Sequence, residues 1–292
     1  MKPLLLVDHS WMLWRSFHSH KSLAVYESGE ERKTNVHFGF TELVESIHNV
    51  FGKCPVLFCE DRPPYKKAEN YPSYKEGRQK NEGDRSYVHF VDSEVRGLVS
   101  ICPWVFFCGS DGMECDDLAA NLFYKNKEKF DVFIFASDDD FMQLLCDGAN
   151  IVKGFKEEGL NYKTSEQLSE KYGVSPEDLL HFRALVGDSS DNLKPAFPRI
   201  RKKFAAEFAK AWREEGFEKA LDLPSAKKYR DRLLSSETLM PNFEIMNLKK
   251  YSEKENQFET ETYCYDRNES KSLIESLSLK KYEKFLKQEK LL

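Results

Sequence analysis

Long apolar runs and paired cysteines are both missing from this sequence. No stretch approaches the roughly 20 apolar residues that a membrane-spanning helix needs, so no membrane partner is expected. The seven cysteines are odd in number and form no C-x-x-C pair, which indicates a reducing compartment where cysteine serves as a small core residue. The opening MKPLLLVDHSW reaches an acid after four apolar residues, so no signal peptide is expected. We therefore expect a cytoplasmic protein.

A strong charge of either sign is also missing. The formal net charge is −5 in 292 residues, and such mild acidity does not by itself indicate nucleic-acid binding, so local patches carry more information. What is present is a large apolar complement, 40% of the chain with 22 Phe and 13 Tyr. This is enough for the core of one large domain or two modest ones.

Four short apolar runs each lead into acidic residues, at 4–7, 54–59, 104–108 and 130–137. Segments with helical spacing separate them, such as FGFTELVESIHNVFG and residues 90–101 and 118–123. Short apolar strands that alternate with helices are typical of a mostly parallel sheet covered on both faces. We therefore predict an α/β fold, with a site beyond the carboxyl ends of the strands.

Beyond about residue 164 the pattern becomes helical. SPEDLLHFRALVG offers Ser175 as an N-cap, Pro176 at the first helical position and Gly187 as a stop. RKKFAAEFAKAW is a basic amphipathic helix, and further helices are expected near 225–236 and 272–288. We predict one domain over 1–164, with a polar mobile or helical segment at 62–90, and a helical region with a C-terminal tail over 165–292.

Nine acids stand at or soon after the predicted strand ends, or near the end of the first helix in the helical half. They are Asp8, Asp61, Glu114, Asp116, Asp117, Asp138, Asp140, Asp188 and Asp191. Each one alone has an ordinary explanation, because an Asp after a strand often caps the next helix. If the sheet is parallel, however, most of them share one edge, where carboxylates packed together without cations would drive one another's protonation.

A crowd of carboxylates is tolerable around hard divalent cations. Oxygen-only ligands favour Mg²⁺ or Mn²⁺, and no His/Cys set with zinc spacing accompanies the acids. Two such ions suit phosphodiester hydrolysis, one activating water and the other stabilising the leaving oxygen.

Two basic segments are candidate phosphate-binding elements. YPSYKEGRQK supplies Tyr74, Lys75, Arg78 and Lys80, and KPAFPRIRKKF supplies Lys194, Arg199, Arg201, Lys202 and Lys203. Both groups are predicted to bind the nucleic-acid backbone. A solvated lysine-rich loop explains the first segment equally well, and a solvated helix face is the alternative for the second.

Six motifs, in order from residue 4 to about 235, resemble those of the 5′-nuclease or flap endonuclease family. This family includes the 5′-nuclease domain of bacterial DNA polymerase I and stand-alone phage 5′-exonucleases, with ribonuclease H-type members among them. The resembling stretches are LLLVDHSWMLWRSFH, TNVHFGF, LFCED with YPSYKEGR, GMECDDLAA, SDDDFMQLL and ALVGDSSDN. The resemblance implies a PIN-like nuclease domain followed by a helix–three-turn–helix, encoded by a phage or acting in the bacterial nucleoid.

The resemblance also implies roles for the acids and for the first basic segment. Asp8, Asp61, Glu114, Asp116 and Asp117 would build one metal site, and Asp138, Asp140, Asp188 and Asp191 would build or support a second. Lys75 would approach the scissile phosphate and neutralise transition-state charge, and Arg78 would grip the 5′ strand near a helical arch at 62–90. Asp139 stands where the family has a non-ligand residue, so we expect it to point away from the metals.

Two features depart from the family pattern. Glu60 and Asp61 compete for one position: the spacing to Tyr74 favours Glu60, whereas the strand ending favours Asp61, which we choose. The family's glycine-rich turn, which binds potassium and duplex phosphates through backbone groups, is replaced by LKPAFPRIRKKF, which contains no glycine. Prolines cannot supply those backbone donors, so we do not expect the potassium site.

We predict a metal-dependent 5′ nuclease that acts, as a monomer, on 5′ flaps, on nicked or branched DNA, or on RNA–DNA primer junctions. One alternative is a catalytically silent DNA-junction binder of the same fold, against which the complete acid set argues. Another is a ribonuclease H-type primer remover. A PIN-type ribonuclease for single strands is less favoured because of the large basic helical half. The hypothesis of an aspartyl-nucleophile phosphatase is weak. Such an enzyme has a second aspartate two residues after the first, whereas HSW follows Asp8 here.

Overall fold

A computed structural model describes residues 1–27, 29–76, 82–157, 159–252 and 267–292. Within these residues the centre is a six-stranded sheet of order β5-β4-β1-β6-β7-β8. The strands are β1 (Lys2–Asp8), β4 (Val56–Cys59), β5 (Val105–Cys108), β6 (Phe130–Phe135), β7 (Asn150–Lys156) and β8 (Gly159–Tyr162), and a separate hairpin joins β2 (Ala24–Glu27) to β3 (Glu30–Lys33). All neighbours in the large sheet are parallel except β8, which pairs antiparallel with β7. The predicted mostly parallel α/β sheet is confirmed.

The parallel register brings several strand ends to one edge of the sheet. Asp8 at the end of β1 pairs with Cys59, which pairs with Cys108, and on the other side Val7 pairs with Phe135. The segments that follow these four strands therefore leave the sheet side by side. This is the edge where parallel sheets form their sites.

Helices cover the sheet and build the second half of the chain. They are α1 (His9–Ser19), α2 (Asn35–Phe51), α3 (Lys66–Asn70), α4 (Glu82–Val99), α5 (Cys115–Asn126), α6 (Ser165–Tyr172), α7 (Leu179–Val186), α8 (Lys202–Glu215), α9 (Phe217–Ala220), α10 (Arg230–Leu234), α11 (Leu239–Met246), α12 (Arg267–Ser276) and α13 (Lys280–Gln288). Short 3₁₀ helices span Asp140–Asp147, Ser189–Asp191, Lys227–Tyr229 and Leu248–Ser252. None of the helices described is long and apolar enough to cross a bilayer.

Both faces of β1 are buried, which explains why its sequence is continuously apolar. Leu5 and Val7 pack with Phe40 of α2 on one face, and Leu6 packs with Phe123 of α5 on the other. The helical region has its own core, in which side chains of α7 pack against those of α8. The site edge is therefore held between two covered layers.

The helix boundaries differ from the sequence expectation in two places. α4 begins at Glu82 rather than near residue 90. α7 begins at Leu179, because the Ser175 hydroxyl donates to Asp178 at 3.0 Å and forms a separate turn before the helix. Gly187 ends α7 with φ of 70°, as predicted.

The C-terminal tail was expected to belong to the helical region, but its two helices pack on the first domain. α12 contacts α4, and α13 contacts α2. The buried ring of Tyr282 joins the core of the sheet, and its hydroxyl donates to the Leu98 carbonyl at 3.0 Å. The tail therefore adds to the apolar layer over α2 and α4.

Candidate functional site

Asp8 at the end of β1 and Asp61 just beyond β4 begin the site. The Asp8 carboxylate caps α1, accepting from the Trp11 amide at 2.8 Å. The Asp61 carboxylate accepts from the Cys115 amide at 3.0 Å and from the Ser10 hydroxyl at 2.7 Å. Asp61 thus ties the start of α5 to the start of α1.

Burial and neighbouring acids oppose ionisation of Asp8. Burial raises its pKa most, the Trp11 amide lowers it, and the charges of Asp61 and Asp138 raise it further, to about 7. The thiol of Cys115 lies beside Asp8, Asp61 and Asp116, and their charges together with burial raise its pKa well above the usual value. Acids from three different strand ends therefore act on one another.

Glu60, the rival of Asp61, is bound elsewhere. Its buried carboxylate accepts from the guanidinium groups of Arg96 and of Arg62, the latter at 3.1 Å. Arg96 also binds Asp92, and Asp92 binds His9 at 2.7 Å. Glu60 thus belongs to an ion-pair network, and Asp61 is the acid that lies beside Asp8.

Glu114, Asp116 and Asp117 form a tight cluster at the start of α5. Their carboxylate oxygens lie within 4.8 Å of one another. Lys67 reaches into the cluster from α3, with its ammonium 2.9 Å from Glu114 and 2.8 Å from Asp117. Burial raises the pKa of Asp116 well above its usual value, although Lys67 opposes the shift.

Tyr74 and Lys75 join this cluster to Asp191. The Lys75 ammonium binds Glu114 and lies 3.9 Å from Asp191, and the Lys75 amide donates to the Asp191 carbonyl at 2.9 Å. Burial raises the pKa of Glu114, but Lys67 and Lys75 outweigh it and lower the value to about 2. Tyr74, assigned from the sequence to nucleic-acid binding, is instead buried and donates to Glu114 at 2.7 Å. Its contacts are therefore those of a residue that positions the acids.

Asp138, Asp140 and Asp188 form the other side of the site. The Asp140 amide donates to Asp138 at 2.8 Å, and Arg183 of α7 binds Asp140 at 2.9 Å and Asp188 at 2.5 Å. Burial and then Asp138 raise the pKa of Asp140 to about 7, against the opposing charge of Arg183. Arg183 therefore holds together acids from the sheet edge and the helical region.

Asp139 takes a different direction from its two neighbours. It accepts from Lys163 at 2.8 Å, from Lys171 at 2.6 Å and from the Tyr172 hydroxyl at 2.8 Å. Burial raises its pKa, but the lysine contacts outweigh this and the net shift is downward. Asp139 thus lies outside the acid network, in agreement with its expected orientation.

The nine predicted acids occur as neighbouring groups linked by short contacts and mutual charge effects. The charges of Asp61 and Asp138 both act on Asp8, and those of Asp61 and Asp116 both act on the Cys115 thiol. The Tyr74 hydroxyl contacts both Glu114 and Asp191. The donor set is entirely carboxylate, and one oxygen of buried Asp117 lacks a hydrogen-bond partner among the described residues. This chemistry fits hard divalent cations.

The predicted basic residues are in part outside the site. Lys194, Arg199, Arg201, Lys202 and Lys203 are exposed between α7 and the start of α8. Arg78 and Lys80 lie outside the described residues. Lys75 is the basic residue of this set that contacts an acid of the cluster.

Sequence reasoning missed Lys67 and Arg183, which supply much of the positive charge inside the site. Lys67 stands in the polar stretch 62–89, and Arg183 lies within an amphipathic helix pattern. Neither position has a spacing signal that points to the acids. Their roles depend on how α3 and α7 dock against the sheet edge.

Comparison with known proteins gives one consistent family. Residues 3–173 match the family model described as 5′-3′ exonuclease, N-terminal resolvase-like domain. A 5′-3′ exonuclease of Buchnera aphidicola is 29% identical over 212 residues, covering 70% of this chain and 68% of that protein. The thermostable DNA polymerase I of Thermus thermophilus is 31% identical over 233 residues, covering 79% of this chain and 26% of the polymerase. The chain thus spans about a quarter of that relative.

Solved structures share the fold. The T5 5′-exonuclease with bound zinc ions superposes with a TM-score of 0.68 at 20% identity, covering 86% of this chain and 91% of that one. Human GEN1 in complex with Holliday junction DNA gives a TM-score of 0.55 at 15% identity, covering 97% of this chain and 68% of that one. The likeness extends from the sheet into the helical region.

Proposed function

The chain belongs to the 5′-3′ exonuclease family with a resolvase-like N-terminal domain and is a 5′ nuclease, and we propose that it hydrolyses phosphodiesters near 5′ ends of branched or nicked DNA with two divalent ions. The observation that supports the two-ion proposal is the network of nine carboxylates from the sheet edge and from the turn after α7. The T5 structure that shares this fold holds divalent metal ions. The ions proposed here are Mg²⁺ or Mn²⁺, because all the candidate ligands are carboxylates.

The residues divide into two ligand groups in this proposal. Asp8, Asp61, Glu114, Asp116 and Asp117 would hold one ion, and Asp138, Asp140, Asp188 and Asp191 would hold or support the other. Ions bound there supply water activation and neutralise charge on the leaving oxygen. Ser10 and the Cys115 amide fix Asp61, and Arg183 fixes Asp140 and Asp188.

Lys75 is proposed as the cation that stabilises the reacting phosphate. Its ammonium binds Glu114 and lies near Asp191, between the two ligand groups. A cation held there is oriented before substrate arrives, which is how preorganised charge lowers a transition-state barrier. Arg78 and Lys80 are proposed to grip the 5′ strand.

The exposed basic residues are proposed to bind the duplex that flanks the cleavage point. Human GEN1 and Rad2, which share the fold, are bound to DNA in their structures. Lys194, Arg199, Arg201, Lys202 and Lys203 present side-chain cations where backbone phosphates can approach. We propose the RNA–DNA primer junction as a related substrate, from which the protein would remove the primer RNA.

Cleavage of 5′-flap, nicked, gapped and RNA–DNA substrates, measured side by side in Mg²⁺, tests the proposal. Asp138→Asn should lower cleavage by about 100-fold or more, since even outer-shell partners of metal ligands cost about 10- to 100-fold. Asp111→Asn is the matched control, because the Asp111 side chain is 99% exposed. Full activity of Asp138→Asn, or DNA binding without cleavage by the wild type, would contradict the proposal.

A further inference from the structure

A cavity of about 380 Å³ lies beside the acid network, on the far side of Asp139. Its basic lining comes from three separate elements: Lys153 of β7, Lys163 after β8 and Lys171 of α6, which we call the lysine pocket. Tyr172 closes one side. None of these lysines was singled out from the sequence, and their hydrogen-bond partners differ from the acids proposed as metal ligands, although the charge of Asp138 acts on Lys163.

The lysine pocket carries more positive charge than the protein neutralises. Among the described residues that line it, Asp139 is the single carboxylate, and it faces Lys163 and Lys171 together. The ammonium of Lys153 bonds to the neutral amide oxygen of Gln167 at 3.4 Å. Asp138 also acts on Lys163 from outside the lining, but the lining itself, with three ammonium groups and one carboxylate, keeps a net positive charge that favours an anion.

Lys163 is the most deeply buried lysine of the pocket. Its side chain is 4% exposed, and its ammonium donates to the Ser137 carbonyl and to Asp139. Burial lowers its pKa even though Asp139 opposes the shift. Burying a cation is costly unless charge partners offset it, and Asp139 is shared between Lys163 and Lys171, so a bound anion would add to the charge that offsets this burial.

The pocket joins the candidate metal site to the exposed basic residues. Ser137 and Asp139, which hold Lys163, flank the proposed ligand Asp138 in sequence. On the other side, the ammonium of Lys171 lies 4.9 Å and that of Lys202 lies 5.9 Å from the centre of the Tyr172 ring. The pocket therefore lies between the start of α8, which it meets at Tyr172, and the acid network, which it meets at Asp139.

We propose that the lysine pocket binds one backbone phosphate of the nucleic-acid substrate next to the metal site. The proposal rests on the proposed function, because it places this phosphate on the strand that runs from the α8 surface to the acids. A phosphodiester suits the pocket because its oxygens accept from several ammonium groups at once. The contact positions the backbone and reads no base.

Lys153→Gln is the variant that isolates the pocket. Lys153 is partly exposed and pairs with no carboxylate in the described part of the chain, so its loss should leave the fold and the acids unchanged. In EDTA, where hydrolysis stops, nucleic-acid affinity measured by fluorescence anisotropy should fall by about tenfold. The slope of log affinity against log salt should decrease by about one.

Two controls accompany this measurement. Lys153→Arg keeps the charge and should retain most of the affinity. Lys129→Gln removes an exposed lysine next to the amino end of β6, at the opposite edge of the sheet, and should change neither affinity nor slope. Cleavage at saturating substrate in Mg²⁺ should be the same for wild type and Lys129→Gln.

Neutral methylphosphonate linkages, placed one at a time along the substrate, identify the phosphate. One position should weaken wild-type binding by about tenfold and leave Lys153→Gln almost unaffected, as expected when two changes remove the same contact. If wild type binds and cuts while Lys153→Gln shows unchanged affinity and slope, the pocket proposal is overturned and the proposed function stands. If wild type binds no nucleic acid, both are overturned.

Discussion

Two lysine side chains, those of Lys67 and Lys75, lie among the carboxylates at the start of α5. Burial lowers the pKa of Lys67, but Asp116, Asp117 and Glu114 outweigh it and raise the pKa well above its usual value. The ammonium of Lys67 is thus a built-in counter-charge for acids that also suit divalent ions. A metal that enters the cluster competes with this ammonium for the same oxygens.

Lys67→Met should make stability depend on divalent ions. In EDTA its free energy of unfolding should fall by about 2–4 kcal/mol, because removing one partner leaves buried carboxylates unpaired. Mg²⁺ should then stabilise the variant more than the wild type, since it binds where the ammonium was. Urea unfolding with and without Mg²⁺ measures this. Lys66→Met, at an exposed neighbouring lysine, is the control. An equal effect of Mg²⁺ on the stability of wild type, Lys67→Met and Lys66→Met would contradict this prediction.

His181 is expected to make the helical region sensitive to acid. The centre of its ring lies 4.9 Å from the ring centre of Trp212 and 5.1 Å from that of Phe243. Burial lowers the pKa of His181 from 6.5 to about 4. The unfolded chain therefore binds a proton between these values that the folded chain does not. The neutral ring therefore makes its full contribution to the free energy of unfolding above pH 6.5, and this contribution is lost as the pH falls towards 4.

His181→Phe should remove this component of acid sensitivity. Between pH 7 and pH 5 the wild type should lose about 1–2 kcal/mol more stability than the variant, a figure reduced for the partial exposure of the ring. Urea unfolding at both pH values gives the comparison, and the carboxylates affect both proteins alike. Equal losses would show that the ring accepts a proton in the folded state.

At the scale of elements, the turn after α7 brings Asp188 and Asp191 to the site. Gly187 has φ of 70°, and a Cβ added there would lie 2.3 Å from the Leu193 carbonyl oxygen. The Asp188 amide donates to that same carbonyl at 2.8 Å. The turn is therefore closed against itself and has no room for a side chain.

Gly187→Ala should destabilise the protein by about 3 kcal/mol, from the positive φ together with the clash against backbone. It should also lower cleavage, because Asp188 and Asp191 must shift. Gly173→Ala is the matched control: its φ is 73°, but a Cβ would meet nothing within 4 Å, so only about 1–2 kcal/mol is expected. Similar melting temperatures for the two variants would show that the turn can move.

At the scale of the whole molecule, the C-terminal helices stabilise a part of the chain nearly two hundred residues away. Tyr282 is 2% exposed and bonds to Leu98 near the end of α4. The same α4 carries Asp92 and Arg96, which bind His9 and Glu60, the neighbours of Asp8 and Asp61. The tail therefore stabilises the helix that holds the residues next to two candidate ligands.

Tyr282→Ala should destabilise the whole first domain by about 3–5 kcal/mol, the usual cost of deleting a buried aromatic ring. Amide hydrogen exchange should quicken in α4 as well as in α13. Tyr26→Ala, at a ring that is 75% exposed, should have little effect. Faster exchange confined to the tail would show that it folds independently of α4.

Local patterns in the sequence predict the sheet and the set of candidate acids. Continuous apolar runs such as residues 4–7 predict strands buried on both faces, and parallel strands bring their carboxyl ends to one edge. Asp8, Asp138 and the group at 114–117 follow directly from that rule. Local apolar patterns and the parallel direction of the strands are enough to predict that these acids meet at one edge.

Which charged groups contact those acids depends on how distant elements pack together. Glu60 and Asp61 are adjacent in sequence, but Arg96 of α4 and Arg62 bind Glu60, whereas Asp61 lies beside Asp8. Lys67, Arg183 and the lysine pocket likewise depend on how distant elements dock, and side-chain contacts across such distances leave no periodic signal. The composition shows that the chain has nearly as many cations as acids. Their pairing is fixed by packing, which determines where each charged group lies.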